Sequence, residues 1–266
     1  MKLKELHALM QDIEPFAQPK VQLEQYPTGA DIASRMLYTI ESMFNAIEGN
    51  IVVDLGTGTG MLAIGAALLG SPCVVGLDVD ADALQVAHDN CEQFEDPLPL
   101  GSPCVVGLDV GADALQVAHD NCEQFEDPLP IDFVLCDVNQ LQQQQRLQAD
   151  TVIMNPPFGT KMKGADMAFL RAACSLGPKQ IYSLNKSSTR SHIQKVALKE
   201  LGCTSAEVLA ELRYNLPATM RFHKQASVDI EVDLWRFELP AAAAAAAAGG
   251  YSSSEGDDEE DQSDNA

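Results

Sequence analysis

A short apolar segment that runs directly into closely spaced glycines limits the folds open to this chain. Residues 50–60 read NIVVDLGTGTG, and the apolar segment MLAIGAALLG follows. β-Branched residues favour a strand, and Gly56, Gly58 and Gly60 allow a sharp turn before a helix N-terminus. Met61 stands where a dinucleotide-binding fingerprint needs its third glycine, which argues against a nicotinamide oxidoreductase. The segment is typical of the first strand, turn and helix of an α/β domain.

Strand-like and helix-like segments alternate through the rest of the chain. The predicted strands include CVVGLDV, IDFVLCDV, DTVIMNPP and KQIYSLN, and ADALQVAHDNCEQF is a predicted helix. AEVLAELRY and SVDIEVDLWRF are expected to form an antiparallel pair that closes one edge of the sheet. We therefore predict a doubly wound, mostly parallel α/β sheet within residues 1–239. Residues 240–266, which are alanine-rich and then acidic, are expected to be a disordered tail.

The first forty or so residues are predicted to be mostly helical. The segment DIASRMLYTIESMFNAI has apolar residues at helical spacing. They are expected to share one broad buried face, which would include Met36, Ile40 and Met43.

A tandem repeat interrupts the alternation. Residues 70–100 and 101–131 are the same 31-residue unit. They differ at two positions, Asp80/Gly111 and Leu100/Ile131. Two copies are too few for a solenoid, and both cannot take the same place in one sheet. Asp80 offers its helix a side-chain cap that a glycine lacks, which favours the first copy as the functional strand and helix.

The charge is distributed unevenly along the chain. The formal net charge is −22, which disfavours contact with nucleic acid. Residues 156–240, however, carry 12 Lys and Arg against 8 Asp and Glu, whereas residues 1–155 carry 5 against 24. A groove in the basic segment could therefore attract phosphates. The seven cysteines form no CxxC pair and no secretory signal is visible, so we expect a reduced intracellular protein.

Acidic residues end three successive predicted strands, where α/β sheets bind their ligands. Asp54 adds a negative charge that suits a cationic ligand. Asp78, or its duplicate Asp109, is placed where an acidic side chain typically accepts hydrogen bonds from a ribose diol. Asp137 and Val138 end the third strand beside the same crevice and could meet an adenine. Together these positions predict a nucleoside-containing ligand.

The motif NPPF, formed by Asn155, Pro156, Pro157 and Phe158, follows the fourth predicted strand. An exocyclic amine on an aromatic base is a poor nucleophile because its lone pair is delocalised into the ring. If both N–H groups donate to the Asn155 side-chain oxygen and the Pro156 carbonyl, a pyramidal nitrogen with a free lone pair is favoured. Phe158 is expected to be an exposed ring on which a base stacks, a contact worth ~1–3 kcal/mol.

These motifs resemble those of a known family. DLGTGTG and NPPF, in this order, are similar to class I, Rossmann-like S-adenosylmethionine-dependent amino-methyltransferases. LEQYPT, GLDVD, VIMNPPFGTK, YSLNKSSTR, AELRYNLPA and FHKQASVDIEVDL closely resemble the methyltransferase-like protein 5 family of eukaryotic small-subunit rRNA adenine-N6 methyltransferases. The resemblance covers residues 1–239 except one copy of the repeat. The family has cysteines where Thr57 and Thr59 stand here.

The resemblance implies an activity, a cofactor and a partner. It implies a seven-stranded fold, methyl transfer from S-adenosylmethionine to the N6 amine of an rRNA adenosine, and a location in nucleus and cytoplasm. It also implies a heterodimer with a small zinc-binding methyltransferase activator protein that covers an apolar sheet edge. The NPPF residues would hold the adenine. The implied cofactor contacts are Gln25, Thr28, Gly56, Thr59, Met61, Asp78, Asp137 and Val138.

Two other functions stay open on the sequence. A protein glutamine-N5 methyltransferase would act on a similarly delocalised amine, although that class usually has tyrosine at the place of Phe158. The second open function is an assembly factor that binds the cofactor but in which the duplication has impaired catalysis. Basic side chains that could hold RNA phosphates are Lys186, Arg190, Arg221, His223 and Lys224. His223 has no metal partner at ligand spacing, so we expect no metal in this chain.

Overall fold

The computed structural model describes residues 1–16, 18–94, 130–141, 147, 149–159, 161–217 and 227–240. The strands in this part are β1 Ile51–Leu55, β2 Cys73–Asp78, β3 Ile131–Leu135, β4 Thr151–Met154, β5 Gln180–Lys186, β6 Ser205–Pro217 and β7 Ser227–Glu238. The α-helices are α1 Leu3–Met10, α2 Ala30–Phe44, α3 Met61–Leu68, α4 Ala81–Glu92, α5 Val138–Leu141, α6 Ala165–Ser175 and α7 Arg190–Lys199. Several positions singled out in the sequence lie outside the described residues: Asp109 and Gly111 of the second repeat copy, Arg221, His223 and Lys224, and the acidic tail.

The described strands form one sheet in the order β3-β2-β1-β4-β5-β7-β6. Strands β1 to β5 pair in parallel, and β7 runs antiparallel between β5 and β6. This arrangement confirms the predicted α/β fold and its antiparallel closing pair. The strand order reverses between β1 and β4, and sheets of this kind bind ligands outside the carboxyl ends of the strands at such a point.

The first copy of the repeat supplies β2 and α4. Strand β2 pairs with β1 on one side and with β3 on the other. Asp80 caps α4, since its Oδ1 accepts a hydrogen bond from the Asp82 backbone N–H at 3.1 Å. This is the capping role that the sequence predicted for Asp80 and that a glycine could not perform.

Helices cover both faces of the sheet. Alternate residues of β1 point to opposite faces, so that Val52 packs in one buried cluster and Val53 in the other. The first cluster contains apolar residues of α1, α2 and α3, and the second contains residues of α5, α6 and α7. None of the described helices has the length and apolar content that a membrane span requires.

The predicted buried face of α2 is partly wrong. Met36 and Ile40 are buried as expected, but Met43 is 67% exposed. The helix ends at Phe44, which packs against Tyr182 with 5.8 Å between ring centroids, so the last turn buries Phe44 in place of Met43. Outside a 3₁₀ turn at Val21–Leu23, the described residues between 11 and 29 are not helical either, and residues 22–28 lie at the carboxyl ends of the strands instead.

Candidate active site

A cleft of about 240 Å³ opens at the carboxyl ends of β1, β2, β3 and β4. Its lining brings together every residue that was predicted to contact a cofactor, namely Gln25, Thr28, Gly56, Thr59, Met61, Asp78, Asp137 and Val138. Asn155 and Pro157 of the NPPF motif line the same cleft. The strand order therefore places the nucleoside-binding candidates and the NPPF motif side by side.

The glycine turn after β1 forms the floor of the cleft. Gly56, Gly58 and Gly60 all have positive φ angles, of 72°, 56° and 85°. A side chain is strained in this region, which explains the alternation of glycines. A Cβ atom at position 58 would also come within 2.8 Å of the Phe16 ring, so the turn leaves no room for one.

Asp54 is a buried carboxylate at the end of β1. It is 1% exposed, and its Oδ2 accepts a hydrogen bond from the Thr57 hydroxyl at 2.8 Å. Burial raises the pKa of Asp54 to about 7, and the nearby charge of Asp78 acts in the same direction. Its Oδ1 is buried without a hydrogen-bond partner. A positive group in the cleft would stabilise the charged form of this side chain.

Asp78 ends β2 and faces the glycine turn. Its Oδ2 accepts a hydrogen bond from the Gly58 N–H at 2.9 Å, and its Oδ1 accepts one from the Asp80 N–H at 2.9 Å. Burial raises the pKa of Asp78 against the effect of these hydrogen bonds. The residue is therefore fixed at the position that the sequence assigned to a ribose contact.

Asp137 and Val138 follow β3 at the far side of the cleft. The Asp137 Oδ1 accepts hydrogen bonds from the backbone N–H of Asn139 at 2.9 Å and from its side-chain amide at 2.8 Å. Val138 begins α5 and is largely buried. A flat apolar group could lie against Val138, with polar groups of the 137–139 turn at its edge.

The NPPF motif reaches the cleft through two of its four residues. The Asn155 side-chain N–H donates to the Thr28 hydroxyl at 2.8 Å, which leaves the Asn155 Oδ1 buried and without a partner. Pro157 lines the cleft, whereas Pro156 and Phe158 do not. The expectation of an exposed aromatic ring is wrong, because Phe158 is only 9% exposed. Its ring packs in the apolar cluster, and the Lys186 ammonium lies 5.8 Å from the ring centroid.

Three residues that line this cleft each have a buried side-chain oxygen without a hydrogen-bond partner in the described structure. These oxygens are Asp54 Oδ1, Asn155 Oδ1 and Glu24 Oε2. Leaving a buried acceptor unpaired typically costs ~1–3 kcal/mol, more for a charged group. The cleft is thus built for a ligand that brings hydrogen-bond donors and positive charge.

Two known proteins are similar to this chain over almost its whole length. The rRNA N(6)-adenosine-methyltransferase METTL5 of Danio rerio is 45% identical over 238 residues, which cover 89% of this chain and 99% of that protein. The rRNA N(6)-adenosine-methyltransferase Mettl5 of Drosophila melanogaster is 43% identical over 241 residues, which cover 90% of this chain and 97% of that protein. The chain belongs to the METTL5 family.

Two further comparisons fit this assignment. A family model described as ribosomal protein L11 methyltransferase (PrmA) matches residues 29–95, which include the glycine turn and most of the first repeat copy. A crystal structure of a protein from Pyrococcus horikoshii has 30% sequence identity and a TM-score of 0.67, and the similarity covers 90% of this chain and 98% of that one. The METTL5 fold and its S-adenosylmethionine-dependent methyltransferase architecture are therefore present here.

One residue of the cleft, Glu24, received no role from the sequence, although its neighbours Gln25 and Thr28 were predicted to contact the cofactor. Residues 20–28 cross the cleft, and we refer to them as the 20–28 segment. Glu24 is 6% exposed and has φ 52°, and its Oε1 accepts the Lys161 N–H at 2.6 Å. The motif LEQYPT was recognised as family-like, but nothing in its pattern indicated that a carboxylate would face the cleft.

One of the proposed phosphate contacts is already paired within the chain. Arg190 donates from Nε and Nη2 to the carboxylate of Asp233, at 2.7 Å in both cases, and also pairs with Glu211 at 2.9 Å. Asp233 is fully buried, so Arg190 neutralises it and is not available to hold RNA in this arrangement. Lys186 contacts the Phe158 ring, as described above, and does not line the cleft.

Proposed function

We propose that this METTL5-family chain transfers a methyl group from S-adenosylmethionine to the N6 amine of an adenosine in small-subunit ribosomal RNA. The observation that carries the proposal is the group of three unpaired, buried acceptors in one cleft, at the carboxyl ends of β1 and β4 and on the 20–28 segment. Family membership supplies the reaction class.

The cleft suits S-adenosylmethionine, which supplies an electrophilic methyl group on a sulfonium. Asp54 and Glu24 place negative, buried oxygens where the positive groups of the cofactor would be favoured. We assign the ribose hydroxyls to Asp78 and the adenine to Asp137 and Val138. The remaining contacts fall to the other cleft-lining residues, Gln25, Thr28, Gly56, Thr59 and Met61.

We assign the target amine to Asn155 and Pro156. The hydrogen bond from Asn155 to Thr28 fixes the amide so that its oxygen can accept an N–H group. The Pro156 carbonyl would accept the second N–H, and the two adjoining prolines keep that carbonyl in place. The proton that leaves the methylated amine passes to solvent, so no strong base is required. Pro157 and Phe158 are proposed to contact the base, with Phe158 limited by the burial of its ring.

We also propose a protein partner at the β3 edge of the sheet, the zinc-binding activator implied by the family resemblance. Among the described residues, no strand pairs with the outer side of β3, and Leu135 is 51% exposed. The opposite edge strand, β6, carries exposed charges such as Glu211 that oppose strand addition. An rRNA substrate that is made in the nucleus and used in the cytoplasm favours both locations for the complex.

A protein glutamine-N5 methyltransferase is not favoured. The model of a protein-modifying family matches only residues 29–95, which contain four of the eight proposed cofactor contacts and none of the NPPF motif. The relatives that match the chain almost completely, including the NPPF region, are named as rRNA N6-adenosine methyltransferases.

The test is a methylation assay with the full chain, the activator protein, radiolabelled S-adenosylmethionine and unmodified small-subunit rRNA. We expect label in N6-methyladenosine after nuclease digestion of the RNA. Label on protein alone would contradict the RNA assignment. Binding of the cofactor by calorimetry without turnover would support an assembly factor instead of an enzyme.

A further inference from the structure

One of the two differences between the repeat copies is Asp80 against Gly111, and Asp80 has contacts beyond its helix cap. Asp80 is 6% exposed. Its Oδ1 accepts a hydrogen bond from the Lys20 ammonium at 2.5 Å, and its Oδ2 accepts one from the Gln25 side-chain amide at 2.6 Å. Both partners belong to the 20–28 segment, so a single carboxylate joins α4 to the chain that crosses the cleft.

The 20–28 segment is anchored at both ends of the cleft. At the β2 end, the Gln25 side chain also accepts the Lys20 backbone N–H at 2.7 Å, so the carboxylate of Asp80 and this backbone group fix its amide from both sides. At the β4 end, Thr28 accepts from Asn155 and Glu24 accepts from the Lys161 N–H. Residues 22–28 line the cleft between these anchors.

A glycine at position 80 would remove the first anchor. Lys20 would keep only Asp82, whose side chain is 85% exposed, and such an exposed pair contributes little. The buried amide of Gln25 would lose its acceptor, which is costly for a side chain that is 9% exposed. The segment that carries Glu24, Gln25 and Thr28 would then no longer be held against the cleft.

We propose that Asp80 is a positioning residue for the methyl donor, that it acts through Lys20 and Gln25, and that it makes the first repeat copy the one that supports cofactor binding. This rests on the proposed function, because it assumes that the cleft binds S-adenosylmethionine. The second copy, with glycine at the matching position, cannot form this anchor.

Reciprocal variants of the full chain test the proposal. Asp80→Gly gives the first copy the residue of the second, and Gly111→Asp does the opposite. By calorimetry with S-adenosylmethionine, we expect Asp80→Gly to raise Kd about tenfold or more and Gly111→Asp to leave it unchanged. Tighter binding by Gly111→Asp, or unchanged binding by Asp80→Gly, would show that the first copy does not hold this role.

Two other variants separate the anchor from the helix cap. Asp80→Ser keeps an acceptor for the cap but lacks the charge and the second oxygen. Lys20→Met removes the ion pair without altering α4. We expect both to weaken cofactor binding, with effects that do not add in the double variant, and both variants to stay fully folded without ligand at the temperature of the binding assay. Additive effects, or losses that only follow the melting temperature, would contradict a positioning role. If the folded parent chain itself binds no S-adenosylmethionine, the proposed function fails rather than the role of Asp80.

Discussion

The Asn155 side chain donates one hydrogen bond and has one buried oxygen without a partner. We expect its substitution to lower kcat without lowering the affinity for the cofactor. Asn155→Ala removes the proposed acceptor of the target N–H and the hydrogen bond to Thr28, but it leaves Asp54, Asp78 and Glu24 in place. The hydrogen bond from the Lys161 N–H to Glu24 still holds the β4 end of the 20–28 segment. We therefore expect the Kd for S-adenosylmethionine to stay within about twofold, while kcat falls by about 100-fold or more because the amine is no longer oriented. Calorimetry and the RNA methylation assay measure the two quantities separately.

The matched control is Asn50→Ala, an asparagine at the amino end of β1, on the side of the sheet away from the cleft. Its side chain donates to the carbonyls of Asn45 and Glu48, and neither these residues nor Asn50 line the cleft. It should change stability slightly and leave kcat unchanged. A loss of cofactor affinity in Asn155→Ala would mean that the motif serves the donor and not the acceptor.

The pKa of Asp54 predicts a pH dependence of cofactor binding. Burial raises this pKa to about 7, so the carboxyl is largely neutral at about pH 6 and largely charged at about pH 8. Since a cationic ligand favours the charged form, affinity for S-adenosylmethionine should rise as pH increases from about 6 to about 8. Asp54→Asn, of similar shape and without charge, should bind more weakly and with a flatter pH profile.

The same group has the opposite effect on the free protein. Its folded-state pKa lies above the unfolded value of 3.8, so its contribution to stability is present at low pH and is lost as pH rises through about 7. The free energy of unfolding by urea is measured against pH for the parent chain and for Asp54→Asn. The difference between the two proteins gives the contribution of Asp54. If both proteins show the same slope of stability against pH, Asp54 does not carry the shifted pKa.

At the scale of elements, the order of strands and helices was predictable. The tertiary contacts between segments that are distant in sequence were not. Periodicity and glycine spacing predicted β1, α3, β2, α4 and the strand before NPPF. The fold rule for parallel sheets then placed Asp78, Asp137 and Asn155 at one edge. The path of residues 11–29 could not be predicted, since its position depends on contacts with Asp80, Asn155 and Lys161 that are distant in sequence.

The burial and pairing of individual side chains also could not be predicted from the sequence. Phe158 looked like an exposed ring because two prolines precede it, but tertiary packing covers it with the apolar cluster and Lys186. Arg190 looked like a phosphate contact because neighbouring residues are basic and hydroxyl-rich. Its actual partner is Asp233, which lies in β7, and no local pattern signals such a pairing.

The pairing of α7 with β7 predicts a stability effect for Arg190. Arg190→Ala leaves the carboxylate of Asp233 fully buried with only the Ser187 hydroxyl, at 2.6 Å, as a side-chain donor. Because a buried unpaired charge is strongly destabilising, we expect the melting temperature to fall by several degrees. The control is Arg171→Ala, which removes an exposed pair with Glu200 at 3.8 Å and should change it little. Equal shifts in the two variants would contradict the structural role of Arg190.

At the scale of the whole molecule, the repeat raises the question of how the chain forms one sheet although it contains two copies of the same strand–helix unit. Strand β2 must lie between β1 and β3, because both pair with it in parallel. The described α4 ends at Glu92 and β3 begins at Ile131, so residues 101–130 of the second copy lie between these two elements in the sequence. Insertions in such connections are tolerated far better than insertions within a strand.

Two deletion variants of the full chain test whether the second copy is a tolerated insertion between α4 and β3. Removing residues 101–131 joins α4 to β3 through residues 93–99 and puts Leu100 in place of Ile131, a conservative exchange and an ordinary loop length. Removing residues 70–100 instead gives a chain of equal length that carries Gly111 in place of Asp80 and keeps Ile131. We expect both to fold, the first to bind S-adenosylmethionine like the parent chain, and the second to bind about tenfold more weakly because Lys20 and Gln25 lose their acceptor. Calorimetry and thermal unfolding of the two deletions give the comparison, and equal affinities would mean that Asp80 does not distinguish the copies.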